Sequence, residues 1–385
     1  MYQLRDYQLE ASNAAVNAFN KGKKNGIIIA PTGAGKSLII ADIASKIDYP
    51  LLVFCPSKEI LEQNVEKYMS YGFLDCGIYS ASANKKDINK VTFATIGSVI
   101  NHQEDFDCFR YILVDECHNV NPEGGMYHDF INAKNRVVVG LTATPYRLKS
   151  YGDGFCVLKF ITRSKPKIFQ EVLCAIQIGD LINKGYLAKL KYYDITKMDM
   201  RNVKSNSTGA DYDENSLKRE YDRSKFYDNL INTVNRLKSP KNGVKRNGIL
   251  VFTRFLEEAK MLADNISGCV MVEGSTPKKT RESIIKNFKN GNIQIIVNVG
   301  VLTTGFDYPE LDTIVLARPT KSLALYYQMV GRAIRKSEGK DGWIIDMCGN
   351  YKRFGDVSDL RLEEYPKKNN WCVMSKGKQL TNVLF

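Results

Sequence analysis

The chain has 385 residues, 44% of them hydrophobic and 25% charged, with a formal net charge of +13. That length exceeds one ordinary domain and suits two of roughly 150 to 200 residues, and the composition excludes wholesale disorder and a collagen-like chain. No window approaches 18 uninterrupted apolar residues, which argues against a transmembrane helix and a membrane partner.

The opening Met1-Tyr2-Gln3-Leu4-Arg5-Asp6 lacks the basic-then-apolar layout of a signal peptide. The expected location is therefore cytoplasmic, in the nucleoid or a host's cytoplasm. Residues 1–150 hold 16 Lys+Arg and 16 Asp+Glu, so the whole charge excess falls in 151–385. A basic half beside a neutral half suggests a polyanion surface, most simply nucleic acid phosphates. The nine cysteines contain no C-x-x-C pair, and the three histidines are not spaced to complete a zinc site with them. They read as reduced thiols of a reducing compartment.

In chain order, near-continuous Ile, Val and Leu runs at 26–30, 51–55, 91–95, 111–115 and 136–141 alternate with helical spacing at 37–47 and 57–71. Continuous rather than alternating apolar runs mark strands buried on both faces of a parallel sheet. The pattern returns at 248–252, 269–272, 293–298, 313–317 and 342–346. The expected fold is thus α/β, two tandem doubly wound parallel sheets. Between them, 199–224 reads as a long polar loop or partly ordered insertion, followed by a helix near 225–238. The expected domains are 1–187, 188–360 with that insertion, and an extension at 361–385.

Residues 30–37 read Ala-Pro-Thr-Gly-Ala-Gly-Lys-Ser, after a strand and before a helix. This is a P-loop context. Across Pro31, Thr32, Gly33, Ala34 and Gly35, backbone N–H groups can close around phosphate oxygens, aided by the helix N-terminus. Lys36 supplies a point charge and Ser37 a hydroxyl for Mg²⁺. The run at 111–118, Tyr-Ile-Leu-Val-Asp-Glu-Cys-His, ends a buried strand on Asp115 and Glu116. These suit the Mg²⁺ shell and the polarisation of an attacking water. The pattern indicates a nucleoside triphosphatase. Arg332 and Arg335, three apart, are expected on one helical face, where two guanidinium forks suit a triphosphate.

The P-loop, the Asp-Glu-Cys-His box and Gly-Leu-Thr-Ala-Thr-Pro at 140–145 together resemble superfamily two helicases. The resemblance implies two RecA-like domains with ATP and Mg²⁺ in the interdomain cleft. Leu4-Arg5-Asp6-Tyr7-Gln8 is similar to the adenine-recognition motif, giving Gln8 and Arg5 that role. Thr142 and Thr144 would couple the ATP site to the nucleic acid track. His118 would bridge toward Gln328, beside the plainer reading of a partly buried histidine. Pro56, Ser57, Lys58 and Thr95 would grip a strand's phosphate backbone, as would Thr253 and Arg254 in the second half. Val-Gly-Val-Leu-Thr-Thr-Gly-Phe-Asp at 299–307 resembles the fifth motif, with Gly305 and Asp307 near the ribose and Thr303 and Thr304 at a phosphate. Gln328, Arg332 and Arg335 match the sixth, with Arg335 as finger and Arg332 as γ-phosphate sensor.

Asp180 to Leu187 and Ile345 to Asn350 are similar to the RadD group of DNA repair proteins, with XPB and UvsW helicases as wider neighbours. The implied activity is an ATP-dependent DNA helicase or translocase acting in repair, recombination or replication. RNA as the track, an ATP-gated clamp without strand separation, and a motor subunit of a larger assembly stay open. The 199–224 and 361–385 segments are candidates for DNA contact, beside the simpler readings of solvated loop and packing tail.

Overall fold

The computed structural model describes residues 3–22, 25–73, 75–151, 156–240, 243, 245–302, 306 and 308–383. It divides into two compact units. The first comprises Met1–Arg147, Lys159–Ile178 and Arg361–Met374. The second comprises Leu148–Leu158, Gly179–Leu360 and Ser375–Phe385. Those limits differ from the expected 187/188 boundary, and the 361–385 extension is shared between the units rather than standing apart.

The first unit runs α1 (Asp6–Lys21), β1 (Gly26–Ile29), α2 (Lys36–Lys46), β2 (Leu51–Phe54), α3 (Lys58–Met69), β3 (Gly77–Ser80) and β4 (Lys85–Lys86). It continues through β5 (Val91–Ala94), α4 (Ile96–Val99), β6 (Tyr111–Asp115), α5 (Met126–Asn132) and β7 (Val137–Thr142). A two-stranded ribbon of β8 (Tyr146–Ser150) and β9 (Cys156–Phe160), most of whose residues belong to the second unit, precedes β10 (Glu171–Ala175) in the chain. The sheet order is β10-β1-β7-β6-β2-β5-β3-β4. Its pairs are parallel except β3 with β4. Every residue of β1, β2, β5 and β7 is buried, as continuous apolar runs require. Because β1, β7 and β6 are neighbours, the loops leaving their C-terminal ends meet along one edge. That edge is where open α/β sheets bind ligands.

The second unit holds α6 (Ile178–Asn183), β11 (Leu190–Asp194), α7 (Glu214–Arg223), α8 (Phe226–Lys238), β12 (Ile249–Thr253), α9 (Leu256–Asn265), β13 (Cys269–Val272) and α10 (Lys278–Lys289). It then runs β14 (Ile295–Asn298), β15 (Thr313–Ala317), α11 (Leu323–Val330), β16 (Gly342–Asp346) and α12 (Asn350–Phe354). All its sheet pairs are parallel, in the order β11-β16-β15-β12-β14-β13. The last strands, β17 (Leu360–Glu364), β18 (Trp371–Ser375) and β19 (Lys378–Gln379), form a small separate sheet.

The 199–224 segment is not the loop its polarity suggests. Ser205 bridges Tyr212, and Asp213 caps α7 by accepting from the Ser216 N–H at 2.8 Å. Leu217 and Tyr221, one turn apart, are fully buried and join Met198, Val203 and Tyr212 in the core of this unit. The charged residues flanking each apolar position hide that stripe from a composition reading. The helix that follows falls where expected, at Phe226–Lys238.

Candidate nucleotide and nucleic-acid site

In the first unit the phosphate loop lies between β1 and α2. Gly33 and Gly35 adopt φ of 83° and 81°, the left-handed region where glycine carries no steric cost. Gly35 is additionally crowded, since a Cβ there would lie 2.4 Å from Gln8 Nε2. Pro31, Thr32 and Ala34 are buried, while Lys36 and Ser37 open α2 half-exposed. Gln8 donates from Nε2 to the Ala34 carbonyl at 2.8 Å and accepts the Arg5 N–H at 2.9 Å. Tyr7 donates to the same carbonyl at 3.2 Å. Arg5, exposed at the start of α1, donates to the Tyr7 hydroxyl. Gln8 and Arg5 therefore stand against the phosphate loop and help fix its shape.

Asp115 ends β6 and is almost fully buried. Its Oδ2 accepts from Asn64 Nδ2 at 3.1 Å and its Oδ1 from the Glu116 N–H at 2.9 Å. Burial, and then the adjacent Glu116, push its carboxyl upward. Glu116 sits at φ 52°, ψ 50°, a conformation that costs a non-glycine residue of order 1 kcal/mol or more. In this backbone conformation its side chain meets Lys36, whose Nζ lies 3.1 Å from Oε1. His118 Nδ1 is 3.3 Å from Oε2. Burial alone would raise the Glu116 carboxyl, but Lys36 and His118 together outweigh it and hold it below the usual range.

The His118 ring also meets Thr142 Oγ1 at 2.8 Å and Thr144 Oγ1 at 3.2 Å. Thr144 donates its backbone N–H to Thr142 Oγ1. Lys36, Glu116, His118, Thr142 and Thr144 thus form one connected chain, on the adjacent strand ends that the sheet order brings together. The donor set fits a magnesium triphosphate: a helix N-terminus and Lys36 for phosphate, with Ser37 and Asp115 as hard oxygens for the metal. Among the described residues no cluster of three or more His, Cys, Asp or Glu is spaced to hold a metal by itself, so Mg²⁺ here would rest on Ser37, Asp115 and the phosphate oxygens.

The expected backbone grips leave the same edge of the sheet. Pro56 is exposed after β2. Ser57 caps α3, its hydroxyl accepting from the Ile60 N–H, and Lys58 pairs with Glu62 at 3.3 Å. Thr95, after β5, donates to Ser80 Oγ and contacts Ser98 Oγ at 3.0 Å.

The second unit carries the remaining residues. Thr253 is buried, and its hydroxyl makes no hydrogen bond among the described residues. Arg254 pairs with Asp211 at 2.7 Å and with Glu214 at 3.2 Å. Gln328 lies on α11, its carbonyl accepting from Arg332 Nε at 3.3 Å. Arg332 is buried and donates from Nη1 to the Phe306 carbonyl at 2.7 Å. Burial pushes the Arg335 guanidinium down to about 10. Thr303, Thr304, Gly305 and Asp307 lie outside the described residues.

The two arginines do not share a helical face. The α11 helix ends at Val330. Arg332 and Ala333 then donate to Met329 and Val330, tightening to three-residue turns. Arg335 lies beyond these, in an antiparallel bridge with Leu187. The helix stops because the chain turns to bury Ala333 and Ile334 and to pair with 187–188.

Residues 1–147 match the family profile described as "Type III restriction enzyme, res subunit". Residues 229–337 match the helicase conserved C-terminal domain. The chain belongs to the superfamily two helicases. It is similar to the helicase-family protein IRC3 of Saccharomyces cerevisiae, at 25% identity over 90% of this chain and 51% of that protein. It is also similar to the DNA 3'-5' translocase XPB2 of Sulfurisphaera tokodaii, at 25% identity over 90% of this chain and 81% of that one. The chain thus spans about half the length of the yeast relative.

Among solved structures, a fragment of an HsdR subunit of a type I restriction enzyme from Vibrio vulnificus aligns with a TM-score of 0.69. It shares 20% identity, covering 99% of this chain and 71% of that one. The DNA-bound restriction-modification enzyme LlaBIII aligns at 0.66, with 19% identity over 90% of this chain and 28% of its own. Both helicase units accordingly have the RecA-like fold. No described helix is long and apolar enough to cross a membrane.

The motif reading of this helicase misses Asn64, which is fully buried on α3 and holds Asp115. Its signal is an amide at an inward position of an otherwise apolar helix stripe, between Leu61 and Val65. Asp211 is missed as well, because it lies in the segment whose polarity reads as a loop.

Proposed function

We propose that the protein is an ATP-dependent DNA translocase or helicase that moves on or remodels DNA in repair, recombination or replication. The observation that carries this reading is the Lys36–Glu116 pair beside Asp115 at the phosphate loop. Lys36 would exchange its carboxylate partner for the β/γ-phosphates of ATP. Glu116 would then lose the charge that holds its basicity down, while keeping its orientation through His118. Freed, it accepts a proton from water as the water oxygen attacks the γ-phosphorus and the P–O bond to ADP breaks. Ser37 and Asp115 would hold Mg²⁺, which neutralises phosphate charge when bound. By the family resemblance, Arg332 would serve as γ-phosphate sensor and Arg335 as finger. His118, Thr142 and Thr144 relay the state of that site toward the strand grips.

DNA as the track is supported by the Asp-Glu-Cys-His box and by a relative named as a DNA translocase. The test is ATP turnover of purified wild type and Lys36→Ala with single-stranded DNA, duplex, fork and RNA. Wild type should be stimulated most by a DNA substrate, and Lys36→Ala should fall to background while keeping its circular dichroism. Unchanged turnover in Lys36→Ala would sink the enzyme reading. Stimulation by RNA above every DNA form would replace the track.

A further inference from the structure

Arg254 and Arg318 follow neighbouring parallel strands. Thr253, the last residue of β12, is in register with Ala317, the last of β15. The next residue of each strand is an arginine, so two guanidinium groups emerge side by side at the C-terminal edge of the second sheet. Such an edge is a ligand-binding position in open α/β sheets.

One carboxylate is set between them. Asp211 Oδ2 lies 2.7 Å from Arg254 Nη1 and 3.9 Å from Arg318 Nη2. The second distance is too long for a hydrogen bond. Arg318 Nε is buried and makes no hydrogen bond among the described residues. Both arginine side chains are 17% exposed, so their charges are largely withdrawn from water. Burial, and then Arg254, press the Arg318 guanidinium downward, with Asp211 opposing. Arg254 is met by Asp211 and by Glu214 at 3.2 Å, so the fork left under-filled is that of Arg318. A phosphodiester carries the same single charge as Asp211, also on two oxygens, but a nucleic acid backbone presents successive phosphates, so each of the two forks can take one of its own.

The loop that delivers Asp211 is itself tied over further cations. Lys321 Nζ donates to Ser205 Oγ and, at 3.4 Å, to the Gly209 carbonyl. Arg353 Nη1 donates to the Tyr212 hydroxyl at 3.4 Å. Glu214, the second acidic partner of Arg254, is mostly exposed and opens α7. Lys321 and Arg353 thus hold the same loop that brings Asp211 to the two arginines.

We infer that Arg254 and Arg318 form a phosphodiester-binding site which the 205–214 loop occupies in the free protein, with the Asp211 carboxylate standing in for a phosphate. Binding of a nucleic acid backbone displaces Asp211, and the loop lowers affinity by the free energy of that exchange. The inference rests on the nucleic-acid reading above, and adds to it a second arginine and an internal competitor. Counterion release favours the exchange, because a phosphate on a polyanion releases condensed cations whereas a lone carboxylate does not. A merely structural ion pair predicts something else: loss of Asp211 would loosen the loop without helping a phosphate to bind.

The experiment is fluorescence anisotropy of a labelled 20-nucleotide oligo-dT against wild type, Asp211→Asn, Arg318→Ala and the double variant, across a NaCl series. Asp211→Asn keeps the volume and the bond from the Tyr212 N–H to Oδ1, and should bind about 3- to 10-fold tighter. Arg318→Ala should bind more weakly, with a log–log salt slope shallower by about 0.7. In the double variant the gain from Asp211→Asn should shrink by most of its size. Asp211→Asn binding no tighter than wild type, or an undiminished gain without Arg318, overturns the inference. If wild type and every variant fail to bind at 50 mM salt, it is the nucleic-acid reading that fails. Thermal unfolding of each variant by circular dichroism separates weakened binding from a damaged fold.

Discussion

At the scale of single residues, the candidate nucleotide site is legible because triphosphate chemistry demands particular side chains at particular strand ends. Lys36, Asp115 and Glu116 are recognisable from spacing alone, and the structure brings them together. What spacing does not carry is the φ of 52° at Glu116 or the Asn64 bond to Asp115. Both depend on which strands become neighbours. Glu258 is a further case. It is fully buried at the start of α9, and its Oε2 accepts the Arg254 and Phe255 N–H groups at 2.9 and 3.0 Å.

Burial raises the Glu258 carboxyl from 4.5 to about 7, against those two bonds. A raised carboxyl means that the native state holds a proton which the unfolded chain has released. Its contribution therefore falls as pH rises from about 4.5 to about 7, and stays low above that window. Glu258→Gln keeps an acceptor for both N–H groups and removes the titration. The variant should match wild type near pH 4.5 and exceed it at pH 8, by at most about 3 kcal/mol at 1.36 kcal/mol per pKa unit. Urea unfolding at the two pH values measures this. An equal difference at both would show that Glu258 does not titrate in the window.

At the scale of elements, central strands are read well and edges poorly. The strands β1, β2, β6 and β7 announce themselves through runs of Ile, Val and Leu. The edge strands β10 and β11 do not. No residue of β10 is fully buried, and β11, Leu-Lys-Tyr-Tyr-Asp, is partly or wholly exposed throughout. An edge has one unpaired side and needs no double-sided apolar run. The α7 helix is hidden for a related reason, since it contributes only Leu217 and Tyr221 as large apolar residues to the core. Those two contribute heavily. Tyr221 stacks on Phe226 at 4.1 Å and meets Phe255 edge-on at 6.0 Å.

Leu217→Ala should therefore cost about 2 to 5 kcal/mol in urea unfolding, the range for a buried leucine whose site cannot collapse. A solvated loop would change by less than about 0.5 kcal/mol, and a value that small would mean α7 is not packed as described. The same variant should loosen the delivery of Asp211 and Glu214 to Arg254, since α7 and its cap carry both.

Across all 385 residues, the uneven charge acquires a division of labour. The first 150 residues are electrically balanced, and of their expected grips Ser57 and Thr95 are hydroxyls at helix starts, while the cation Lys58 is paired with Glu62. Hydroxyls and backbone N–H groups hold phosphate without releasing a bound cation from the nucleic acid. Lysine and arginine do release one. In the second half, where the excess of +13 resides, Arg254 and Arg318 stand at the sheet edge, Arg318 with no hydrogen bond from its Nε among the described residues. Affinity and its salt dependence should then separate by residue. Thr95→Val should weaken oligo-dT binding by a similar factor at 50 and 200 mM NaCl, leaving the log–log slope unchanged. Substituting the second-unit cations should make the slope shallower by about 0.7 for each phosphate ion pair removed. The wild-type slope itself should be at least as steep as about −1.4, the value two neutralised phosphates give on a single strand. A slope near zero would mean that the basic half does not face the nucleic acid. A slope change on Thr95→Val would move part of the electrostatic footprint back to the first unit.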